Sequence, residues 1–136
     1  MAENVWARIV GSASSTPLGD ATNPLVIAES VATTKAAVFN TALPVAEASI
    51  LTTGLTPTNA TSYFQISVAI ATAGVFRVSI TRSGTTIVMD MWQGANLQAN
   101  SLYTFPLAVR TGDTVNFRYS ATGANILMLR VEEVTR

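Results

Sequence analysis

Apolar and polar residues alternate one for one along much of the second half of the chain. Over residues 63–71, Phe64, Ile66, Val68 and Ile70 fall on one side, with Gln65 and Ser67 on the other. A period of two is the signature of a half-buried strand. Phe76, Val78 and Ile80 repeat it against Arg77, Ser79 and Thr81. The return segment sets Ile87, Met89 and Met91 against Val88, Asp90 and Trp92. Between the two, Arg82-Ser83-Gly84-Thr85 carries the glycine that accepts the positive φ of a tight turn, which predicts a β-hairpin. In residues 101–110, Tyr103, Phe105, Leu107 and Val109 alternate with Thr104 and Pro106. Pro106 has no N–H to give a ladder, so this strand belongs at an edge or a bulge. Thr111-Gly112-Asp113 turns the chain into Val115, Phe117 and Tyr119. The last strand, 125–134, is apolar on both sides from Ile126 to Leu129, as a central strand is. Short strands with turn signals every roughly 8–12 residues predict an all-β fold, an antiparallel β-sandwich or barrel.

The first 60 residues lack this regularity. Residues 5–10 read as a strand anchored by Trp6, and 11–23 are small and polar, with Pro17 and Pro24 as breakers. Short extended stretches are predicted at 25–28, 36–39 and 48–53, with a helix over 45–51 as an alternative to the last of these. Residues 1–23 are therefore assigned to an extended, proline-punctuated arm or edge strand, and 24–136 to a single sandwich domain. An arm of this kind can add a strand to a neighbour's sheet through main-chain hydrogen bonds. Val5, Trp6, Ile9 and Val10 would be its apolar contacts.

Composition changes the picture at the surface. Only 16 of the 136 residues are charged, eight of each sign, and formal net charge is zero. A folded chain of this size exposes roughly 7,000 Å², so charges are spread at about one per 400 Å². A soluble monomer near zero net charge tends to self-associate, and burying surface against other subunits removes the difficulty. Seven of the eight basic residues are arginine, which suits fixed pairing with carboxylates at interfaces. They are scattered, and scattered charge does not make the clustered phosphate contacts of a nucleic-acid binder. No apolar run reaches the length of a membrane-spanning helix, and the first residues carry no basic-then-apolar export signal.

Candidate chemistry is sparse. The chain has no histidine and no cysteine, which removes the commonest general base, the thiol nucleophile, disulfides and most zinc sites. No glycine-rich phosphate loop and no calcium-type acidic loop occurs, so no cofactor and no metal are expected. Glu132 and Glu133 are neighbours on a strand and point to opposite faces, which prevents their acting as a pair. Asp113 suits a turn, where its side chain bonds the backbone. Asp90 is placed to pair with Arg77 across the hairpin. An enzyme is not expected. Trp92, Tyr103 and Tyr119 offer two uses. They are aromatic anchors of a core or an interface, or a stacking face for a sugar. On the first use, Trp92 and Tyr103 join the arm residues as candidate assembly contacts.

Residues 97–105 (Leu-Gln-Ala-Asn-Ser-Leu-Tyr-Thr-Phe) and 110–118 (Arg-Thr-Gly-Asp-Thr-Val-Asn-Phe-Arg) carry a family resemblance. Together with the hairpin over 76–92 and the strand over 127–134, they resemble small jelly-roll-like β-sandwich structural proteins of tailed phages and other viruses. Capsid decoration and outer shell proteins are among these. The resemblance spans roughly residues 62–134. It implies a subunit made in a host cytoplasm and carried on the virion. It also implies a homo-oligomer, a trimer among the options, that contacts a capsid or shell protein and stabilises the shell. Two alternatives stand beside it: a subunit of an extracellular filament or surface layer joined by strand addition, and a carbohydrate- or receptor-binding sandwich module.

Overall fold

In a computed structural model, residues 31–60, 62–121 and 125–135 are described. The segment 5–10, with Val5, Trp6, Ile9 and Val10, the arm over 1–23 and the stretch 25–28 lie outside them. Seven strands are described: β1 (Val31–Ala42), β2 (Ser62–Ile70), β3 (Phe76–Arg82), β4 (Thr85–Asp90), β5 (Leu102–Ala108), β6 (Thr114–Tyr119) and β7 (Asn125–Thr135). They form two antiparallel sheets, ordered β1-β7-β2-β5 and β4-β3-β6. No α-helix occurs among the described residues.

The alternating segments become strands because each has one face to bury. In β2, every second residue from Ser62 to Ile70 is buried, and in β6 Val115, Phe117 and Tyr119 are fully so. Facing side chains meet between the sheets. The Phe76 ring of β3 stacks on Phe117 at 5.6 Å and on Phe105 of the opposite sheet at 6.2 Å. β7 lies between β1 and β2, as its two-sided apolarity predicts, and Pro106 sits in β5, an edge strand. Two separate sheets make this a sandwich rather than a closed barrel.

Two expectations for the first half are corrected. The helix alternative over 45–51 does not form: residues 46–47 make a turn, with Glu47 at φ +61°, and the expected extended stretch 48–53 lies irregularly beside β6. Glu47 and Ile50 donate their backbone N–H to Tyr119 and Phe117 carbonyls at 2.9 and 2.8 Å, and Leu55 exchanges both bonds with Val115. This segment, 47–55, covers the outer edge of β6. The second correction is β1, which has 12 residues where only 36–39 were expected to be extended. It is an edge strand exposed along most of its length, so no period of two marks it. Its pairing with β7 shifts between Thr34 and Ala36, leaving Lys35 in a bulge, and Asn40 bends it again with φ +48°.

Gly74 is required for close packing. A Cβ there would lie 2.8 Å from the Tyr119 ring and 3.0 Å from Ser120 Oγ. Tyr119 cannot yield, because its buried hydroxyl donates to the Thr72 carbonyl at 2.5 Å. Gly74→Ala should therefore cost about 1–3 kcal/mol through overpacking. In a melt this appears as a Tm lowered by roughly 4 °C or more. An unchanged Tm would show that the 72–74 turn does not press on Tyr119.

Candidate functional site

Exposed apolar side chains of the described sandwich gather on its β4 side, where Ile87, Val88, Met89 and Trp92 follow one another closely. Ser83 and Gly84 both have positive φ, +49° and +79°, the signature of a two-residue type I′ hairpin turn. That turn fixes the register, pairing Ile80 with Ile87 and Val78 with Met89. Residues directly opposite share a face, so Ile87 and Met89 look the same way as the core residue Val78 and the half-buried Ile80 packed against the core. They lie at the sheet edge instead of beneath the other layer. Ile87 is 59% exposed, and Val88 and Met89 are about two-fifths exposed. A cavity of about 340 Å³ opens beside them, lined by Ile80, Arg82, Ser83, Thr85, Ile87 and Met89.

The strand runs into a corner built from aromatic rings. Trp92 and Gln93 both adopt left-handed backbone, φ +53° and +55°, which costs on the order of 1 kcal/mol for each such residue. The turn holds the Trp92 ring edge-on to Tyr103 at 5.7 Å and to Phe105 at 6.3 Å, while leaving Trp92 55% exposed. Tyr103 is half-buried, and its hydroxyl accepts the Gln98 N–H at 2.9 Å. Trp92 and Tyr103, separate in sequence, are thus one cluster. Tyr119 is not part of it. It is fully buried, and burial pushes its hydroxyl up to about 12, so an aromatic face of all three rings does not form.

The charged side chains Arg77, Asp90, Arg82 and Asp113 are committed to ion pairs. Arg77 Nε donates to Asp90 Oδ1 at 2.6 Å, the cross-hairpin pair the register predicts, and Arg77 also binds Glu47 of the 47–55 segment. Asp113 is buried in its turn, where it accepts two bonds from Arg82, at 2.6 and 2.8 Å, and the Arg110 N–H at 2.9 Å. Arg82 and the Arg110 N–H hold its carboxyl below the usual range, against the opposing effect of burial. Glu132, half-exposed, pairs with Arg130 at 2.5 Å, while Glu133 on the other face is buried.

Glu133 gathers three elements. Its Oε1 accepts from Ser62 Oγ at 2.6 Å, Thr58 N at 2.7 Å and Asn59 N at 3.0 Å, and Lys35 of the β1 bulge reaches its Oε2 at 3.2 Å. Burial pushes this carboxyl up, and the donors from Ser62, Asn59 and Thr58 outweigh it and bring it down to about 2. These contacts tie strands and loops together. Among the described residues no group of three or more His, Cys, Asp or Glu side chains is placed to hold a metal, and no helix is long and apolar enough to cross a membrane.

Of the residues the sequence singles out, Trp92 and Tyr103 come together, and Val5, Trp6, Ile9 and Val10 lie outside the described residues. Sequence reasoning missed the β4 edge itself. Its signal is the Ile87-Val88-Met89 run, apolar on both faces of a strand that no described residue pairs on its outer side. Compared with protein-family models, with curated proteins and with solved structures, the chain matches none.

Proposed function

We propose that this chain is a non-enzymatic virion structural protein, a capsid decoration or outer shell subunit that self-associates and stabilises its shell. The observation that carries the proposal is the exposed apolar strip from Ile87 to Trp92 on a surface with few charges and no net charge. Exposed apolar patches of this kind mark interaction surfaces. An exposed tryptophan backed by other rings is the sort of anchor that dominates interface energies.

Strand order supports a jelly-roll assignment. Counting the 47–55 segment as an irregular strand beside β6, the sandwich has two layers of four: β1-β7-β2-β5 and 47–55-β6-β3-β4. Eight strands in two such sheets, with the chain crossing repeatedly between them, is the jelly-roll pattern that viral capsid and lectin domains share. That architecture hosts many functions, so the exposed strip supplies the functional argument and the fold the setting.

Light scattering on the purified full chain across a dilution series is the direct test. A mass of two or more chains supports a self-associating subunit. A single-chain mass at the highest soluble concentration would overturn it. The second proposal, a carbohydrate-binding module, is favoured by the exposure of Trp92 against Tyr103, and it requires glycan binding that Trp92→Ala abolishes.

A further inference from the structure

The two sheets have four edges, and three are obstructed. The 47–55 segment occupies the edge of β6 through backbone hydrogen bonds. Pro106 interrupts β5, offering no N–H at the middle of that strand. β1 is bent by its Lys35 bulge and by Asn40, and Lys35 carries a charge toward Glu133. Bulges, proline and inward-pointing charge are the devices that stop sheets from joining edge to edge. β4 has none of them. Its pairing with β3 runs without a shift from Arg77–Asp90 to Arg82–Thr85, and its one charge, Asp90, is held by Arg77.

The hairpin also determines which backbone groups of β4 are free. In a two-residue hairpin the residues flanking the turn, Arg82 and Thr85, exchange both hydrogen bonds, and bonded pairs then alternate along the strands. Met91 continues the series by donating its N–H to the Phe76 carbonyl at 2.9 Å. Thr85, Ile87 and Met89 therefore direct their N–H and C=O toward β3. Thr86, Val88 and Asp90 direct theirs outward, where no described residue pairs with them.

We infer that β4 is an association edge for a second copy of this chain, paired antiparallel with Val88 on the two-fold axis. A two-fold axis through the joined sheets keeps the faces aligned, so a residue meets one on the same face. With Val88 opposite Val88, Thr86 meets Asp90 of the other copy, and every outward-facing backbone group finds a partner. An axis through Ile87 would leave outward groups of Asp90 beyond the pairing. Ile87 meets Met89 of the second copy on the inner face, extending the apolar wall beside Ile80. The same register brings Trp92 toward the other copy's Gly84 turn, where the surface is open. Charge does not oppose the contact, since the chain is neutral and Asp90 is already paired.

This inference rests on the self-associating subunit proposed above and names its contact. Such an edge buries on the order of a few hundred Å² per copy, below the roughly 800 Å² of a standard interface, so the pair forms reversibly and dilutes apart. The absence of cysteine gives a clean trap. Cα atoms of a hydrogen-bonded antiparallel pair lie about 5.5 Å apart with Cβ atoms roughly 5 Å apart, wider than a relaxed disulfide accepts but within reach of a short bifunctional thiol crosslinker. Position 86 would lie about 14 Å from its own copy at this register. With a short bifunctional thiol crosslinker, Val88→Cys should become mostly a covalent dimer while Thr86→Cys stays at least tenfold less linked. Val88→Lys, at a surface position, should keep the wild-type melt and weaken self-association at least tenfold in light scattering. Equal linking at 86 and 88 would overturn the register. Self-association that survives Val88→Lys, with no linking at 88, would overturn the β4 contact and leave the assembly proposal standing. A wild-type chain that is single at all concentrations would overturn both.

Discussion

Phe76→Ala is expected to remove about 3–5 kcal/mol of stability, the usual cost of emptying a buried phenylalanine site. Phe76 is fully buried and stacks on Phe117 in its own sheet and on Phe105 in the other, so its ring bridges the layers of the sandwich. A domain of this kind has only about 5–15 kcal/mol in total, and the variant sits near the limit of folding. Phe76→Leu, which keeps most of the volume, should lose under about 1.5 kcal/mol. Urea unfolding of both variants measures this. A Phe76→Ala loss below 1 kcal/mol would mean that the two sheets do not close over this ring.

Phe76 also illustrates which parts of the fold are legible in the sequence. Strands with one buried face, β2, β3, β5 and β6, announce themselves by alternation, because burial on one side and water on the other select residues in turn. β7 announces itself by the continuous apolarity of Ile126 to Leu129, although only one of its faces is fully buried: Leu127 and Met128 are half-buried and Arg130 is exposed. β1 does neither: with solvent along most of its length, Val31 and Phe39 stay exposed and no pattern forms. The 47–55 segment is legible only as a short extended stretch at 48–53, and its place beside β6 is hidden for another reason. It is held through its backbone and through the Asn116 side chain, which bonds both the N–H and the C=O of Leu51, and backbone bonding places few demands on side-chain type.

The candidate site is legible to a similar degree. Trp92 and Tyr103 stand out as rings, but their meeting depends on left-handed backbone at Trp92 and Gln93, residues that seldom adopt it. The hairpin register places Asp90 beside Arg77, as the sequence predicts. The partners of Glu133 come from residues 71 to 98 positions earlier along the chain, beyond the reach of any local pattern.

Acid should weaken the protein through Glu133 in particular. Its carboxyl falls from an ordinary 4.5 to about 2 on folding, so the folded state favours the ionised form. A group depressed in this way adds stability that is complete above pH 4.5 and is lost as pH falls to about 2. The difference corresponds to roughly 3 kcal/mol. Glu133→Gln should lower stability at pH 7 by on the order of 2–3 kcal/mol, because the bonds to a charged acceptor become bonds to a neutral one and Lys35 loses its counter-charge. Unfolding free energies of the two proteins, measured from pH 7 down to pH 2, should converge at the acid end. Parallel curves with a constant gap would show that Glu133 is not ionised in the folded protein.

The blocking of β6 by the 47–55 segment sets how far edge pairing can propagate. A subunit open on both sides of a sheet is divalent, and divalent units polymerise head to tail until supply runs out. Here one side of the three-stranded sheet is already occupied by the chain's own backbone, which makes the subunit monovalent for strand addition on that sheet. Monovalent units terminate at the first encounter. Growth into a fibre along this sheet would first require peeling 47–55 from β6, which breaks its bonds to Val115, Phe117 and Tyr119 and exposes Ile50 and Leu51 to water.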